Sequence, residues 1–385
     1  MRRPYAVALL AALLAPSVVA AQSSQFGVRG LGFPGRGTSV QSLGAGGAFA
    51  LFDPTSSLNP AALGLSRAFT ASFTGLQNFR SSRVVDVSVT GRNTRFPQMA
   101  VGGPVRGTPL ALGISFSNLT DRDFTLASAT TVPIRGVPVG VNDTLFSTGG
   151  IADLRLAAAY RLGGWAVGAG VHVITGSNRV QLRRTFDDSA YAAISQRSEI
   201  SYAGAGVSAG VVRPVGTRLS VSAMVRVDGS ASLDRDSSRV TEIDLPVSFA
   251  GGLRWRASDR LGVGFQGVVH QWSSADDALR ALGGTGAVNT VDLSAGLELT
   301  RNVRRPEQRP IRFGLRFATL PFPVESGARV REAAVSLGTG FRFAQDRLGL
   351  DHAGIDLSVE RVWRGARGGF RESAWLVGLG VTVRP

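Results

Sequence analysis

The chain contains no cysteine and no lysine, and among its 385 residues there are only three histidines and three methionines. Without cysteine there is no disulfide framework, no thiolate metal centre and no lipid-anchor residue behind a leader. The histidines, His172, His270 and His352, stand alone, at no metal-ligand spacing. Long apolar runs are also missing. The longest, 6–15, falls well short of the roughly 20 residues that a spanning helix needs, so any membrane crossing must be made by strands.

Nor is there a catalytic set. The Gly-x-Gly patterns at 168–170, 204–206 and 262–264 lie inside strand-like segments with no helix to follow, so they are not phosphate loops; they fit curvature and close packing in a sheet. The pairs Asp187-Asp188 and Asp276-Asp277 sit in loop-like stretches and read as solvated charge. The chain is therefore expected to be neither an enzyme nor a cofactor carrier.

What is present begins with export. Arg2 and Arg3 precede the apolar run, and Val19-Ala20-Ala21 offers the small residues of a cleavage site, so residues 1–21 read as a signal peptide. Removing those two arginines takes the net charge from +15 to +13. The remaining arginines are scattered along strands rather than clustered, which disfavours nucleic acid. Their planar forks suit phosphates and carboxylates.

From about Arg67 onward the sequence is written in period two. Ile311, Phe313, Leu315 and Phe317 alternate with Arg312, Gly314, Arg316 and Ala318; Ile355, Leu357 and Val359 alternate with Asp356, Ser358 and Glu360. A soluble sandwich would show the same alternation. A barrel is favoured because the connections alternate short (Gly163-Gly164, 214–216, Ser258-Asp259) and long (132–149, 186–195, 229–242, 274–286, 319–331), as periplasmic turns and extracellular loops do. The tryptophans Trp165, Trp255, Trp272, Trp363 and Trp375 fall at strand ends, where an interfacial girdle belongs. The expectation is an all-β transmembrane barrel of about 14 strands, with 83–92 either extending the first hairpin or raising the count to sixteen.

Ahead of the strands, Ser42 to Leu63 reads SLGAGGAFALFDPTSSLNPAAL: Gly- and Ala-rich, nearly uncharged and ending on Asn59-Pro60-Ala61. This stretch resembles the N-terminal hatch of the FadL family of outer-membrane transporters. Pro97-Gln98-Met99, Asp244-Leu245-Pro246, Trp272-Ser273 and Ala374-Trp375-Leu376 also look like recurring positions of that family. The resemblance implies a hatch over 22–66 plugging a barrel over 67–385, inserted by the barrel-assembly machinery into outer-membrane lipid. It also implies passive uptake of hydrophobic small molecules such as long-chain fatty acids. Asn59, Pro60 and Ala61 would then gate the lumen, with a side exit at a kink in the third strand, for which Gly113 is the natural place. A PorV-type docking subunit, which would bind secreted proteins, is the alternative. One departure is the ending Val383-Arg384-Pro385, which lacks the terminal aromatic usual in such barrels.

The inward phase of the strands sends Arg155, Arg226, Arg254, Arg312, Arg316 and Arg342 into the lumen with Asp86, Asp292, Glu298, Asp356 and Glu360. Buried charge is costly unless paired, so these are expected to pair across the interior; the alternative is that one arginine, which the sequence does not single out, receives a ligand carboxylate.

Overall fold

The computed structural model describes residues 24–384 apart from 85–86, 304–307, 325–326 and 346–350, so the expected leader and Asp86 lie outside the described residues. Alternation becomes a closed wall. One short strand, β1 (Phe33–Pro34), belongs to the N-terminal segment. The wall is built from β2 (Thr70–Val84), β3 (Val87–Pro104), β4 (Leu110–Asp121), β5 (Phe124–Ile134), β6 (Val137–Leu162), β7 (Trp165–Phe186), β8 (Ile194–Val215), β9 (Leu219–Asp228) and β10 (Ser230–Arg235). It continues with β11 (Ser238–Asp244), β12 (Ser248–Arg256), β13 (Leu261–His270), β14 (Thr290–Leu299), β15 (Ile311–Thr319), β16 (Arg331–Gln345), β17 (Asp351–Gly365) and β18 (Phe370–Val383).

β4 and β5 follow one another along β6, β9 and β10 along β8, and β11 and β12 form the next stave, so the wall has fourteen antiparallel staves, closed where β18 pairs with β2. Closure leaves no sheet edge to face lipid. The described residues of 83–92 extend the first hairpin, as Arg83 pairs with Ser88 and Arg80 with Gly91, and the count stays at fourteen.

The two faces separate as the alternation requires. On β15, Phe313 and Leu315 are 42% and 49% exposed, whereas Arg312 and Arg316 are 2% and 5% exposed. The apolar face thus looks outward to lipid and the charged face inward, the inverse of a soluble domain. An arginine at the bilayer midplane costs about 2–4 kcal/mol. Leu315→Arg is therefore expected to lower the unfolding free energy in bilayers by that amount, and undiminished stability in a denaturant titration would mean that this face does not meet lipid.

Four tryptophans mark the edges of the apolar band. Trp165 and Trp255 stand at the short-turn end and Trp363 and Trp375 at the long-loop end, all exposed. Arg213 stacks 4.2 Å above the Trp165 ring and Arg361 lies 5.0 Å from that of Trp375, so each guanidinium reaches the interface over an aromatic platform. Trp272 corrects the expected girdle. β13 ends at His270, the chain turns inward into a 3-10 turn (Trp272–Ala275), and Trp272 packs edge-on against Phe322 at 5.4 Å, only 3% exposed.

Candidate functional site: the hatch, the lumen charges and a cavity

Residues 24–66 occupy the barrel interior. The segment starts at the long-loop end, where Ser24 Oγ and the Gln25 amide donate to Glu372 at 2.8 and 3.0 Å. Phe33 and Pro34 of β1 then pair with Asp121 and Thr120 of β4. Further on, Ser39 caps the short helix Val40–Leu43, its Oγ accepting from the Ser42 amide. The buried Asp53 carboxylate ties the segment to itself. It accepts from the hydroxyls of Ser39, Ser42, Thr55 and Ser56 and from the Thr55 amide.

From Val40 to Leu63 the chain makes a circuit of the wall, in the direction opposite to strand order. It is seated on inward-facing glycines. Val40 lies over Gly380, Gly44 over Gly338, Ala45 and Gly46 over Gly314, Phe49 over Gly264, Pro60 and Ala61 over Gly168, and Leu63 over Gly113. A Cβ at Gly314 or Gly168 would collide with hatch backbone, so the absence of side chains is what lets the segment lie against the strands. Wall side chains complete the clamp: Gln266 accepts from the Leu51 amide at 3.0 Å, Ser336 donates to the Gly44 carbonyl at 3.2 Å, and Gln98 donates to the Thr55 carbonyl.

Asn59 ties the segment both to itself and to the wall. Its Nδ2 donates to the Leu51 carbonyl at 3.1 Å and to Ser222 Oγ at 2.8 Å, and its Oδ1 accepts from the Ala61 amide at 2.9 Å, capping the 3-10 helix Pro60–Leu65. Pro60 opens that helix where its missing N–H costs nothing, and Ala61 is fully buried. Removing a buried hydrogen-bonding partner costs about 1–3 kcal/mol. Asn59→Ala is accordingly expected to speed amide exchange across 50–62 by roughly one to two orders of magnitude, with the wall strands unchanged; equal protection in the mutant would remove the anchor.

The lumen charges form two clusters. In the first, Arg312 bridges Glu298 at 2.8 Å and Asp356 at 3.0 Å, with Arg342 also on Asp356. Nearby, Arg316 pairs with Glu332 and Glu360, while Arg36, 3.6 Å from Asp292, and Arg364 also pair with Glu332. Arg254 is half-exposed, 3.6 Å from Glu298 and stacked 5.6 Å from the Phe49 ring. In the second cluster Arg226 is held by Asp153 at 2.6 Å and Asp228 at 2.8 Å.

Arg155 departs from the expected pairing with an acid. Its Nη1 donates to the Ser57 carbonyl at 2.8 Å and its Nε to Ser115 at 3.2 Å, so it clamps the hatch backbone. Glu332 and Arg364 were readable as inward positions of β16 and β17, but Arg36 was not, because it lies in no periodic segment.

Asp153 also accepts from His172 Nδ1 at 2.8 Å, and Ser208 Oγ is 2.8 Å from His172 Nε2. The arrangement has the distances of a Ser-His-Asp relay. Ser208 and His172 are both buried, and the relay orients Asp153 against Arg226.

Above the hatch circuit lies a cavity of about 140 Å³. Its apolar lining includes Leu43, Leu58, Met224 and Val268, and its polar lining includes Arg226, Asp228, His270, Asp292 and Arg316. At one side it reaches Phe33 to Gly35 and Ser117 to Leu119.

That side is where the wall is weakest. β3 and β4 pair only from Gln98↔Ser117 to Pro104↔Ala111, seven residue pairs. At about 3.3 Å per residue and a tilt near 40°, these span roughly 18 Å of height, less than the roughly 25 Å apolar band. Beyond Ser117 the β4 register slips between Asn118 and Thr120, and β1 takes the edge that β3 has left. Across the seam Arg95 reaches Asp121 in an ion pair of 2.5 Å. Gly113 itself lies in unbroken register, opposite Gly102 on β3 and Ala157 on β6, under Leu63. The irregularity expected at Gly113 therefore falls five residues further on, where Phe33 to Gly35 of the N-terminal segment lie against the strand in place of β3.

No protein-family model and no curated protein matches the chain. Solved structures do. A Pseudomonas aeruginosa FadL homologue superposes with a TM-score of 0.61 at 13% identity, over 91% of this chain and 99% of that one. CymD, a monoaromatic hydrocarbon channel, gives 0.57 at 15% identity over 91% and 98%. TbuX, the toluene transporter of Ralstonia pickettii, gives 0.57 at 15% over 90% and 98%. The chain has the FadL-like barrel fold.

Proposed function

We propose that this barrel carries small hydrophobic molecules passively across the outer membrane. A molecule enters from the long-loop end, rests in the cavity above the hatch, and leaves sideways into the membrane between β3 and β4. The observation that carries this reading is the conjunction of a seated hatch with a seam that loses its strand pairing inside the apolar band, at the wall of the cavity. A hydrophobic molecule gains nothing by being released into periplasmic water, whereas a sideways exit keeps it in an apolar phase. The element that must move is the stretch Phe33 to Gly35 lying across the seam, rather than Asn59 to Ala61, which are pinned to β7, β8 and β9. The fold it shares with a FadL homologue and hydrocarbon channels supports the same reading. A secretion-docking role draws no support from these neighbours.

The cysteine-free chain allows a direct test. Pro34 and Thr120 are register partners, so Pro34→Cys with Thr120→Cys staples β1 to β4. Accumulation of radiolabelled toluene or palmitate by whole cells is expected to fall to the level of cells without the barrel when the pair is oxidised, and to recover on reduction. Equal uptake in both redox states would refute the seam exit, and a parent no faster than barrel-free cells would refute transport.

A further inference from the structure

We infer that the lipid face carries, at its long-loop end, a binding site for a phosphorylated glycolipid of the outer leaflet, of the lipid A class, built from Arg83, Arg92, Arg331, Arg361 and Arg371. The inference goes beyond the transport reading and rests on it only for the placement in an outer membrane. Strand register brings the five side chains together. In the outermost row Arg83 of β2 lies directly opposite Arg371 of β18, Arg371 opposite Gly365 of β17, and Gly365 opposite Arg331 of β16. Four residues nearer the midplane a second row runs Arg92, Phe79, Trp375, Arg361 across β3, β2, β18 and β17. Both rows have the outward parity, while the neighbouring Arg80, Glu332 and Glu372 have the inward one and are buried.

At about 4.8 Å between strands and 3.3 Å along them, the two rows frame a basin roughly 14 Å wide and 13 Å high. Its floor is low, because Gly365 has no side chain and the row between holds Ser81 and Ser373 beside Trp363. Among the described residues, this part of the outward face has no acidic side chain, and none of the five arginines makes an ion pair. Elsewhere at the same end exposed arginines do have acids: Arg179 is 3.5 Å from Glu199, and Arg239 is 3.0 Å from Glu242. Like charges directly opposite on adjacent strands are destabilising, yet Arg83 faces Arg371. An anion seated between them turns that repulsion into a bridge.

Depth identifies the ligand. Arg361 lies 5.5 Å from the Trp363 ring and 5.0 Å from that of Trp375, at the edge of the apolar band. Stacking fixes the plane of the guanidinium and leaves its N–H edge open to an oxygen. Immediately toward the midplane the same strand exposes Val359 and Leu357. The partner that matches both surfaces has anionic groups at headgroup level and acyl chains running down the wall, which is a lipid. A free anion would gain nothing from the apolar part. Arginines on both sides of a basin this wide are bridged by two phosphates on a disaccharide, whereas a single phosphate reaches only one side. Long loops mark the outer side of such barrels, so the lipid belongs to the outer leaflet.

The probes are bisphosphorylated lipid A and the same lipid stripped of its phosphates, offered to the purified barrel in detergent micelles, with bound lipid read by native mass spectrometry. The phosphorylated form is expected to be retained about tenfold or more over the stripped form, the size of one hydrogen bond between charged groups. Arg83→Gln combined with Arg331→Gln and Arg371→Gln should bring that ratio to near one. Arg213→Gln, which removes the guanidinium over Trp165 at the short-turn end, should leave it unchanged. If the triple variant fails the heat-modifiability check for a folded barrel, Arg361→Gln and the two lipids on the unaltered protein decide the matter. Equal retention of both lipids, an unchanged ratio in the folded triple variant, or an equal fall in Arg213→Gln would each overturn the inference. So would displacement of the lipid by inorganic phosphate at matched phosphate concentration, the mark of a free-anion site. A barrel that keeps the ratio but takes up no toluene would overturn transport and leave the lipid site standing, and uptake without the ratio would do the reverse.

Discussion

Gly314→Val is expected to unseat the hatch and leave the barrel standing. The new side chain would be driven into the backbone of Ala45 and Gly46, atoms that no rotamer change can move aside. Overpacking of a core costs typically about 1–3 kcal/mol when side chains can yield, so a collision with backbone should exceed that range. The wall has a cheaper escape than the strands do, because the hatch is held by polar contacts and close packing and carries no pairing of β14, β15 or β16. Single-channel recording in planar bilayers is expected to show a conducting pore in the mutant and none in the parent. Gly251→Val is the control, since a side chain there meets nothing within 4 Å and points to lipid. A closed Gly314→Val pore with native heat-modifiability would mean that the circuit over the glycines does not seal the lumen.

Arg316→Met is expected to be the most damaging single charge deletion. Its guanidinium is buried and pairs with Glu332 and Glu360, and deleting one partner of a buried pair strands the other at a cost of about 3–5 kcal/mol. The double change Arg316→Met with Glu360→Gln should recover part of that loss, because the stranded carboxylate goes as well. Denaturant unfolding of the four species of the cycle in lipid gives the coupling energy. Simple additivity would show that the charges do not act as a network.

The residues of the candidate site differ in how legible they were. Arg312, Arg316, Asp356 and Glu360 could be placed in the lumen from alternation alone, since each is flanked by residues bound for lipid. Asn59, Pro60 and Ala61 were singled out by a motif, and the structure ties Asn59 to Leu51, Ala61 and Ser222. Trp272 misled because a strand's end looks the same in sequence whether the chain turns out toward lipid or inward over the lumen. Gly113 misled because a glycine in a strand serves close packing as readily as bending, and here Leu63 sits on it.

Period-two patterning is a local property: whether a side chain faces lipid or lumen depends only on its parity along its own strand. That is why the outward band, the fourteen staves and the inward arginines of β15 follow from the order of residues. Partnership is not local. Which acid meets Arg312, why Arg155 takes hatch carbonyls some hundred residues away, and where β4 parts from β3 depend on the stagger set when β18 closes on β2. They depend equally on a hatch that threads the closed wall. Only that closure brings Arg226, Asp153, Asp228 and Ser57 around one cavity, because their strands and the hatch are neighbours in the barrel while being far apart along the chain.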